Sequence, residues 1–212
     1  MTDDLIDRLS SDLRPVRTGG VVVRLGLALS AGGAVAFIGV AWLLGLRPDM
    51  ARAVSSGMFW AKLAYTGAAA TAGFLCIERL SRPAGKVGLR LAWLGLPLAS
   101  LVGAAVIQLL DVAPGGGRHL VMGGSAMVCP GYIAATSLPV CLMLIWALRG
   151  LAPVRLRLAG AAAGLAAGGL AAAIYSLHCP ESGAPFVAIW YTLGILLPAA
   201  AGALAGPRLL RW

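Results

Sequence analysis

Two of the four cysteines, Cys129 and Cys179, are each followed directly by proline. Proline lacks a backbone N–H and restricts the residue before it, so each cysteine is expected at a helix break or an extended turn, more exposed than on an intact helical face. A pair of such thiols can form a disulfide in an oxidising compartment. It can also bind soft metal ions or react with oxidants.

Three further residues could complete a metal site with these cysteines: His178, Glu181 and His119. The spacing does not match paired CxxC zinc motifs, so the metal interpretation rests on residue type alone. His178 fits equally well as a group that ends the helix before it. For Cys76 and Cys141 we favour inert burial, which is common for free cysteine.

The composition indicates a membrane protein. Hydrophobic residues make up 59% of the chain and charged residues 12%, with a mean hydropathy of +0.87. Soluble domains carry roughly 25% charged residues. A chain this apolar has too little polar surface for a water-facing globule, which excludes a soluble enzyme, a disordered chain and a disulfide-stapled secreted domain.

The chain contains apolar stretches long enough to cross a bilayer, which requires about 20 residues. We predict an all-α fold, a transmembrane bundle of six helices over residues 21–212, because helices satisfy their own backbone in lipid. The predicted spans are residues 21–46, 58–77, 89–110, 122–148, 154–177 and 184–204. The connections are too short to hold a separate enzymatic domain.

Basic residues predict the orientation, because Lys and Arg concentrate in cytoplasmic loops. Most flank one side of the predicted bundle: Arg8, Arg14, Arg17, Arg24, Arg79, Arg82, Lys86, Arg90, Arg149, Arg155, Arg157, Arg208 and Arg211. The other side holds Arg47, Arg52, Lys62 and Arg118. Both termini are therefore predicted in the cytoplasm, and Cys129 and Cys179 on the outer side.

Ionisable residues are scarce inside the predicted spans. Lys62 and Asp111 lie near the outer ends of the second and third, where each is expected to extend to the interface, or else to pair with the other. The absence of buried charges at mid-depth argues against ion-coupled transport. The glycines at spacing four, Gly160, Gly164 and Gly168, are expected to pack helices within the bundle rather than between copies.

Residues 1–20 form a second predicted unit, a cytoplasmic tail. Leu5, Ile6, Leu9 and Leu13 share one helical face, with Asp3, Asp4, Asp7 and Asp12 on the polar side and Pro15 at the end. A helix this short gains order by placing its apolar face in a partner's groove. The alternative, a helix on the lipid surface, is disfavoured because acidic residues match an anionic leaflet poorly.

These features resemble the NrsF-type family of six-helix bacterial anti-sigma factors over essentially the whole chain. The resemblance rests on Asp3-Asp4-Leu5-Ile6, Asp12-Leu13-Arg14-Pro15-Val16, Tyr175-Ser176-Leu177-His178-Cys179-Pro180-Glu181, Trp190-Tyr191, Gly194-Ile195 and Gly206-Pro207-Arg208-Leu209-Leu210-Arg211-Trp212. It implies an inner-membrane protein that holds an extracytoplasmic-function sigma factor inactive through the tail. It also implies sensing of heavy-metal or oxidative stress through two periplasmic cysteines, here Cys129 and Cys179.

The predicted function is therefore regulatory rather than enzymatic. The tail residues expected to contact the sigma factor are Leu5, Ile6, Leu9, Asp12, Leu13 and Arg14. The sigma factor and the bilayer are the expected partners, with no nucleic acid, organic substrate or required cofactor and at most a transient soft or transition metal ion. The alternatives are a membrane thiol–disulfide oxidoreductase, disfavoured because no CxxC occurs, and a small metal exporter, disfavoured because mid-membrane ligands are lacking.

Overall fold

The structure is a computed structural model, and it describes residues 19–82, 92–113, 116–151 and 153–211, apart from the side chains of Trp93 and Leu94. The predicted tail contacts, Leu5, Ile6, Leu9, Asp12, Leu13 and Arg14, lie outside the described residues. The boundary between tail and bundle at residue 20 therefore stays a prediction.

Every regular element of the described residues is a helix and none is a strand, as the all-α prediction requires. The helices are α1 (Gly20–Gly39), α2 (Met50–Val54), α3 (Gly57–Leu80), α4 (Ala92–Asp111), α5 (Gly117–Met122), α6 (Cys129–Arg149), α7 (Leu156–Tyr175), α8 (Ala184–Phe186) and α9 (Thr192–Leu209). Five-residue π-helical turns, Val40–Leu44 and Val187–Tyr191, extend α1 and join α8 to α9.

Four helical segments of the described chain are long and apolar enough to span a membrane: Gly20–Leu44, Cys129–Arg149, Leu156–Tyr175 and Ala184–Leu209. The helix α3 has 24 residues but carries Lys62 within it, and α4 contributes the shorter apolar stretch Gly95–Asp111. The number of six spans stays a prediction.

The helix α7 lies at the centre of the bundle. Of its 18-residue apolar stretch, 78% is buried, whereas the corresponding share is 22–33% in the other three candidate spans. Glycine makes this position possible. A Cβ on Gly160 would overlap the main chain of Gly202 in α9, and one on Gly169 would overlap the main chain of Ala70 in α3. The predicted role of the glycines in packing within the bundle is confirmed.

The outward surfaces of the other spans are apolar, as expected of helices that face lipid. Trp42 and Leu43, at the end of the first span, are 88% and 85% exposed, and Trp146 on α6 is 65% exposed. Burying such side chains in hydrocarbon instead of water is favourable by about 1.5–3 kcal/mol each. The bundle thus matches a bilayer environment.

The predicted span at residues 122–148 is wrong at its beginning. The helix α5 ends at Met122, and Gly123 follows with a φ of 49°, a conformation that side chains with a Cβ rarely adopt. The helix α6 begins only at Cys129, where Pro130 occupies the first turn and needs no N–H partner. The break places Cys129 at a helix end.

Candidate functional site

Cys129 and Cys179 occupy the two structural breaks that their prolines predict. Cys129 is the first residue of α6, and its N–H donates to the Ser125 carbonyl oxygen at 2.9 Å. Cys179 follows α7, with its N–H bonded to the Tyr175 carbonyl oxygen at 3.0 Å. We call residues 176–183, which connect α7 to α8, the cysteine loop.

The two cysteines, 50 positions apart in sequence, are in contact in the structure, and we call them the thiol pair. The Cys129 thiol donates a hydrogen bond to the sulfur of Cys179, and both thiols are free rather than joined as a disulfide. Their exposed fractions are 0% and 1%. The expectation that the prolines expose these thiols is therefore wrong, because the aromatic residues around the cysteine loop cover them.

The thiol pair lies in one buried cluster with the rings of Tyr175, Tyr191 and Phe186, and a fourth ring, Tyr132, packs on Tyr175 while remaining 42% exposed. Tyr175 stacks on Tyr132 with ring centroids 6.0 Å apart and lies 6.2 Å from Tyr191, which in turn packs edge-on against Phe186. Tyr175, Tyr191 and Phe186 are essentially buried. These rings exclude bulk solvent, so the polar contacts inside the site act in a low-dielectric environment.

Lys62 is a component of this site that sequence reasoning missed. It was expected to extend to the interface or pair with Asp111, but its side chain is 1% exposed and lies against the cysteine loop. Its Nζ donates to the carbonyl oxygens of Glu181 at 2.6 Å and Cys179 at 3.4 Å. Because α3 packs beside α7, Lys62 points towards the loop that follows α7.

A second cation, Arg47, reaches the cysteine loop from the connection after α1. Its Nη1 donates to the Cys179 carbonyl oxygen at 3.4 Å, and its main-chain N–H donates to the Leu177 carbonyl oxygen at 3.0 Å. Two bonds of 2.7 Å to the Asp49 carboxylate fix the guanidinium and hold the pKa of Asp49 below its usual value. The main chain of Cys179 is therefore held by cations from two different elements.

The environment stabilises the thiolate of Cys179. The hydrogen bond from Cys129 lowers the pKa of the Cys179 thiol, and the positive charge of Lys62 lowers it further, against the opposing effect of burial. The Glu181 backbone and the Tyr191 hydroxyl also bond to this sulfur. A thiolate is the nucleophilic and metal-binding form of cysteine, so Cys179 is the chemically competent member of the pair.

The other predicted metal ligands have different partners. The Nδ1 atom of His178 lies 2.8 Å from the carbonyl oxygen of Gly45, and Glu181 accepts the Gly124 N–H at 2.7 Å. His119 is exposed on α5. Across the described ranges, no three His, Cys, Asp or Glu side chains gather into a group able to hold a metal ion. The structure thus brings together the thiol pair but not the full predicted ligand set.

The thiol pair and the predicted tail attachment lie at opposite ends of the bundle. The helix α6 runs 21 residues, about 30 Å, from Cys129 to Arg149. At that far end the guanidinium of Arg24, one turn into α1, lies 5.4 Å from the Trp146 ring and against Gly150. The helix α6, which contains Pro139 in its interior, therefore connects the thiol pair with the beginning of α1, where the predicted tail joins.

Comparisons with known proteins identify relatives along nearly the whole chain. The family model described as "NrsF: Negative regulator of sigma F" matches residues 9–212. The chain is 40% identical over 211 residues to the probable anti-sigma-F factor NrsF of Azospira oryzae, covering 100% of this chain and 99% of that protein. It is 41% identical over 214 residues to the anti-sigma-F factor NrsF of Caulobacter vibrioides, with the same coverage. No solved structure matches the chain. With nearly its whole length matched, the chain belongs to the NrsF family of negative regulators of sigma F.

Proposed function

We propose that this chain is a membrane-bound anti-sigma factor that sequesters an extracytoplasmic-function sigma factor through its N-terminal segment, residues 1–20. The bundle, residues 21–212, releases the sigma factor when Cys129 and Cys179 react under heavy-metal or oxidative stress. Support for the regulatory class comes from the two relatives, both named anti-sigma-F factors. The apolar stripe Leu5, Ile6, Leu9 and Leu13, with Asp12 and Arg14 beside it, is the proposed contact surface.

The observation that carries the sensing proposal is the thiol pair itself. Cys129 begins α6 and Cys179 follows α7, yet the two thiols are hydrogen-bonded to each other and buried in one cluster with Tyr175, Tyr191 and Phe186. A disulfide would bond the two sulfurs directly and shorten the distance between them. A bound soft ion would lie between the two sulfurs and lengthen it. Either change moves the beginning of α6 relative to the cysteine loop, and α6 carries the movement towards the Arg24 end.

The proposed topology has six spans, with both termini in the cytoplasm and the thiol pair on the periplasmic side of the bacterial inner membrane. The bias of basic residues favours this orientation. Within it the tail faces the compartment that contains sigma factors, and the thiols face the compartment that stress agents reach first. The chain then acts on transcription through its protein partner and needs no contact with DNA.

The inorganic ligand of this proposal is a transient soft or transition metal ion held by the thiol pair. Thiolates prefer soft ions, and a buried pair of sulfurs suits an ion of low coordination number. His178 and Glu181 are occupied by main-chain partners, and His119 is exposed, so these three are secondary candidates. The protein needs no cofactor for sequestration, because the tail alone makes the proposed contact.

Affinity purification of the detergent-solubilised protein from its own cells tests the sequestration half. The full-length chain and a form lacking residues 1–17 are compared, together with the full-length variants Leu9→Asp and Asp7→Asn as a matched pair. We expect a sigma factor with the full-length chain and with Asp7→Asn, and its loss with the truncation and with Leu9→Asp. Equal recovery with and without the tail would contradict the proposal.

A further inference from the structure

Lys62 links the helix α3 to the cysteine loop through the hydrogen bonds of its buried ammonium group. Its ammonium group has three potential acceptors within 3.5 Å: the carbonyl oxygens of Glu181 and Cys179 and the hydroxyl oxygen of Tyr191. It also lies 5.0 Å from the centre of the Tyr191 ring. An ammonium group has three N–H donors, so its bonding capacity is filled inside the site.

This arrangement is specific to the cysteine loop. The two carbonyl oxygens that Lys62 contacts flank Pro180, so one side chain holds both residues on either side of the proline. A buried ammonium is unfavourable unless its hydrogen bonds are made. The position of Lys62 therefore depends on the conformation of the loop, and the loop conformation depends in turn on Lys62.

Lys62 also reaches the sulfur of Cys179 through Tyr191. The Tyr191 hydroxyl is hydrogen-bonded to the Cys179 sulfur, and the same hydroxyl lies 3.5 Å from Nζ of Lys62. The hydroxyl can donate to the sulfur while its oxygen accepts from Lys62. A change in the charge or bonding of the sulfur therefore acts on the Tyr191 hydroxyl that Lys62 contacts. Tyr191 ends the π-helical turn Val187–Tyr191, an irregularity frequent at functional sites.

The helix that carries Lys62 is closely packed against the centre of the bundle. Cβ atoms built on Gly73 of α3 and Gly169 of α7 would overlap the main chains of Ala166 and Ala70, respectively. Helices in backbone contact transmit displacement because there are no flexible side chains between them to absorb it. A displacement of Lys62 therefore changes how α3 lies on α7.

We propose that Lys62 is a positioning residue that couples the chemical state of Cys179 to the helix α3. In the reduced state its bonds to Glu181, Cys179 and Tyr191 hold α3 and the cysteine loop together. Conversion of Cys179 to a state without a charged or hydrogen-bonding sulfur weakens these bonds and releases α3 from the loop. The regulatory meaning of this coupling rests on the proposed sensing function, but the coupling itself does not.

Hydrogen peroxide, a small neutral oxidant, provides a defined change of state. The Cys179 thiolate attacks one peroxide oxygen, the O–O bond breaks, and the departing hydroxide takes up a proton to leave as water, which gives a sulfenic acid. The Cys129 sulfur then attacks the Cys179 sulfur, losing its proton and expelling the sulfenic oxygen as a second water. Two thiols and one peroxide thus give one disulfide and two waters.

The experiment measures the difference in Tm between the thiol and the peroxide-oxidised states of the full-length protein in lipid nanodiscs. Lys62→Met keeps a long side chain but removes its charge, and Lys62→Arg restores a cation. The control Arg52→Met removes an exposed cation at the same end of the bundle. Mass spectrometry of unreduced peptides records the yield of the Cys129–Cys179 disulfide in each sample, so that Tm values are compared at equal yield.

We expect Lys62→Met to reduce the wild-type difference in Tm to less than half, Lys62→Arg to restore most of it, and Arg52→Met to leave it unchanged. If Lys62→Met showed the same Tm difference between the reduced and the oxidised states as the wild type, at equal disulfide yield, the proposal would be overturned. If Lys62→Met does not fold, Tyr191→Phe decides, since it removes only the hydroxyl, and an unchanged difference there overturns the proposal equally. No sigma factor is present, so failure of the proposed function leaves this result unaffected.

Discussion

The Cys129 thiol donates a hydrogen bond to the sulfur of Cys179 within a buried cluster, although the two residues are 50 positions apart in the chain. One cysteine begins α6 and the other follows α7, so their contact joins the ends of two helices. A reaction at either sulfur therefore acts on both helices together. Cations from the connection after α1 and from α3 hold the same loop, which makes the thiol pair the meeting point of four elements of the bundle.

Mild oxidation is predicted to produce one specific disulfide, Cys129–Cys179. The Cys129 thiol is hydrogen-bonded to the Cys179 sulfur, which is the better nucleophile, so these two sulfurs are placed to react with each other. Mass spectrometry of unreduced peptides after peroxide treatment would identify the linkage. We expect Cys141, which lies about 18 Å along α6 from Cys129, to remain outside it.

The matched control for this crosslink is Cys141→Ser, which should leave the yield unchanged, whereas Cys129→Ser should abolish it. A dominant linkage between Cys179 and another cysteine, or between two protein molecules, would contradict the observed pairing of thiols.

The reaction rate of Cys179 is predicted to depend only weakly on pH between 8 and 6. Its pKa is lowered by the Cys129 hydrogen bond and by Lys62, so the thiolate is present above the lowered pKa and is lost only as the pH falls through it. An ordinary thiol, with a pKa near 8.5, loses nearly a hundredfold in thiolate over this interval, whereas we expect less than threefold for Cys179.

Iodoacetamide labelling of Cys179, read by peptide mass spectrometry at each pH, measures this dependence. Restricted access lowers all rates alike, so the ratio of rates reports ionisation. Cys129→Ala, which removes the hydrogen-bond donor, should steepen the dependence. A wild-type rate that falls tenfold per pH unit would show that the thiolate is not stabilised.

His178→Ala is predicted to lower stability without removing thiol chemistry. The substitution deletes the 2.8 Å contact with the Gly45 carbonyl oxygen, and a hydrogen bond of this kind contributes about 0.5–1.5 kcal/mol. Thermal unfolding should show the loss. Titration with Hg²⁺, a soft probe ion, should give the same stoichiometry as the wild type, while Cys179→Ser should lose binding. Loss of stoichiometric Hg²⁺ binding in His178→Ala would instead establish His178 as a ligand.

Gly164→Ala is predicted to destabilise the bundle, and Gly131→Ala is its matched control. A Cβ at position 164 would overlap the Pro198 carbonyl group of α9, whereas one at position 131 meets open space. Overpacking of this kind costs about 1–3 kcal/mol, while alanine in place of an unconstrained helical glycine is neutral or stabilising. Unfolding curves of both variants in one detergent test the difference, and equal Tm values would refute the packing argument.

Much of the fold follows from the sequence because apolar length and helix-breaking residues are local signals. The prolines after Cys129 and Cys179 correctly predicted breaks at both positions, and the glycine spacing predicted close helix packing. The late beginning of α6 was missed, since the apolar run continues through Met122 and only the turn at Gly123 interrupts it.

The site was less predictable because burial depends on neighbours that are distant in sequence. The break at each proline gave no indication that Tyr175 and Tyr191 would cover the thiols. Lys62 was assigned to the interface from its position near a helix end, a rule that ignores acceptors supplied by other segments. Its actual acceptors are main-chain oxygens in the cysteine loop, and no pattern of residue types reports the direction of a carbonyl group.

The most direct test of the central claim measures release of a sigma factor from the purified complex in nanodiscs after peroxide treatment. The wild-type chain is compared with Cys129→Ser and Cys179→Ser, and with Cys141→Ser as the control. We predict release from the wild type and from Cys141→Ser in proportion to disulfide yield, and retention by the other two variants. Equal release from all four proteins would contradict the claim that this thiol pair controls the sigma factor.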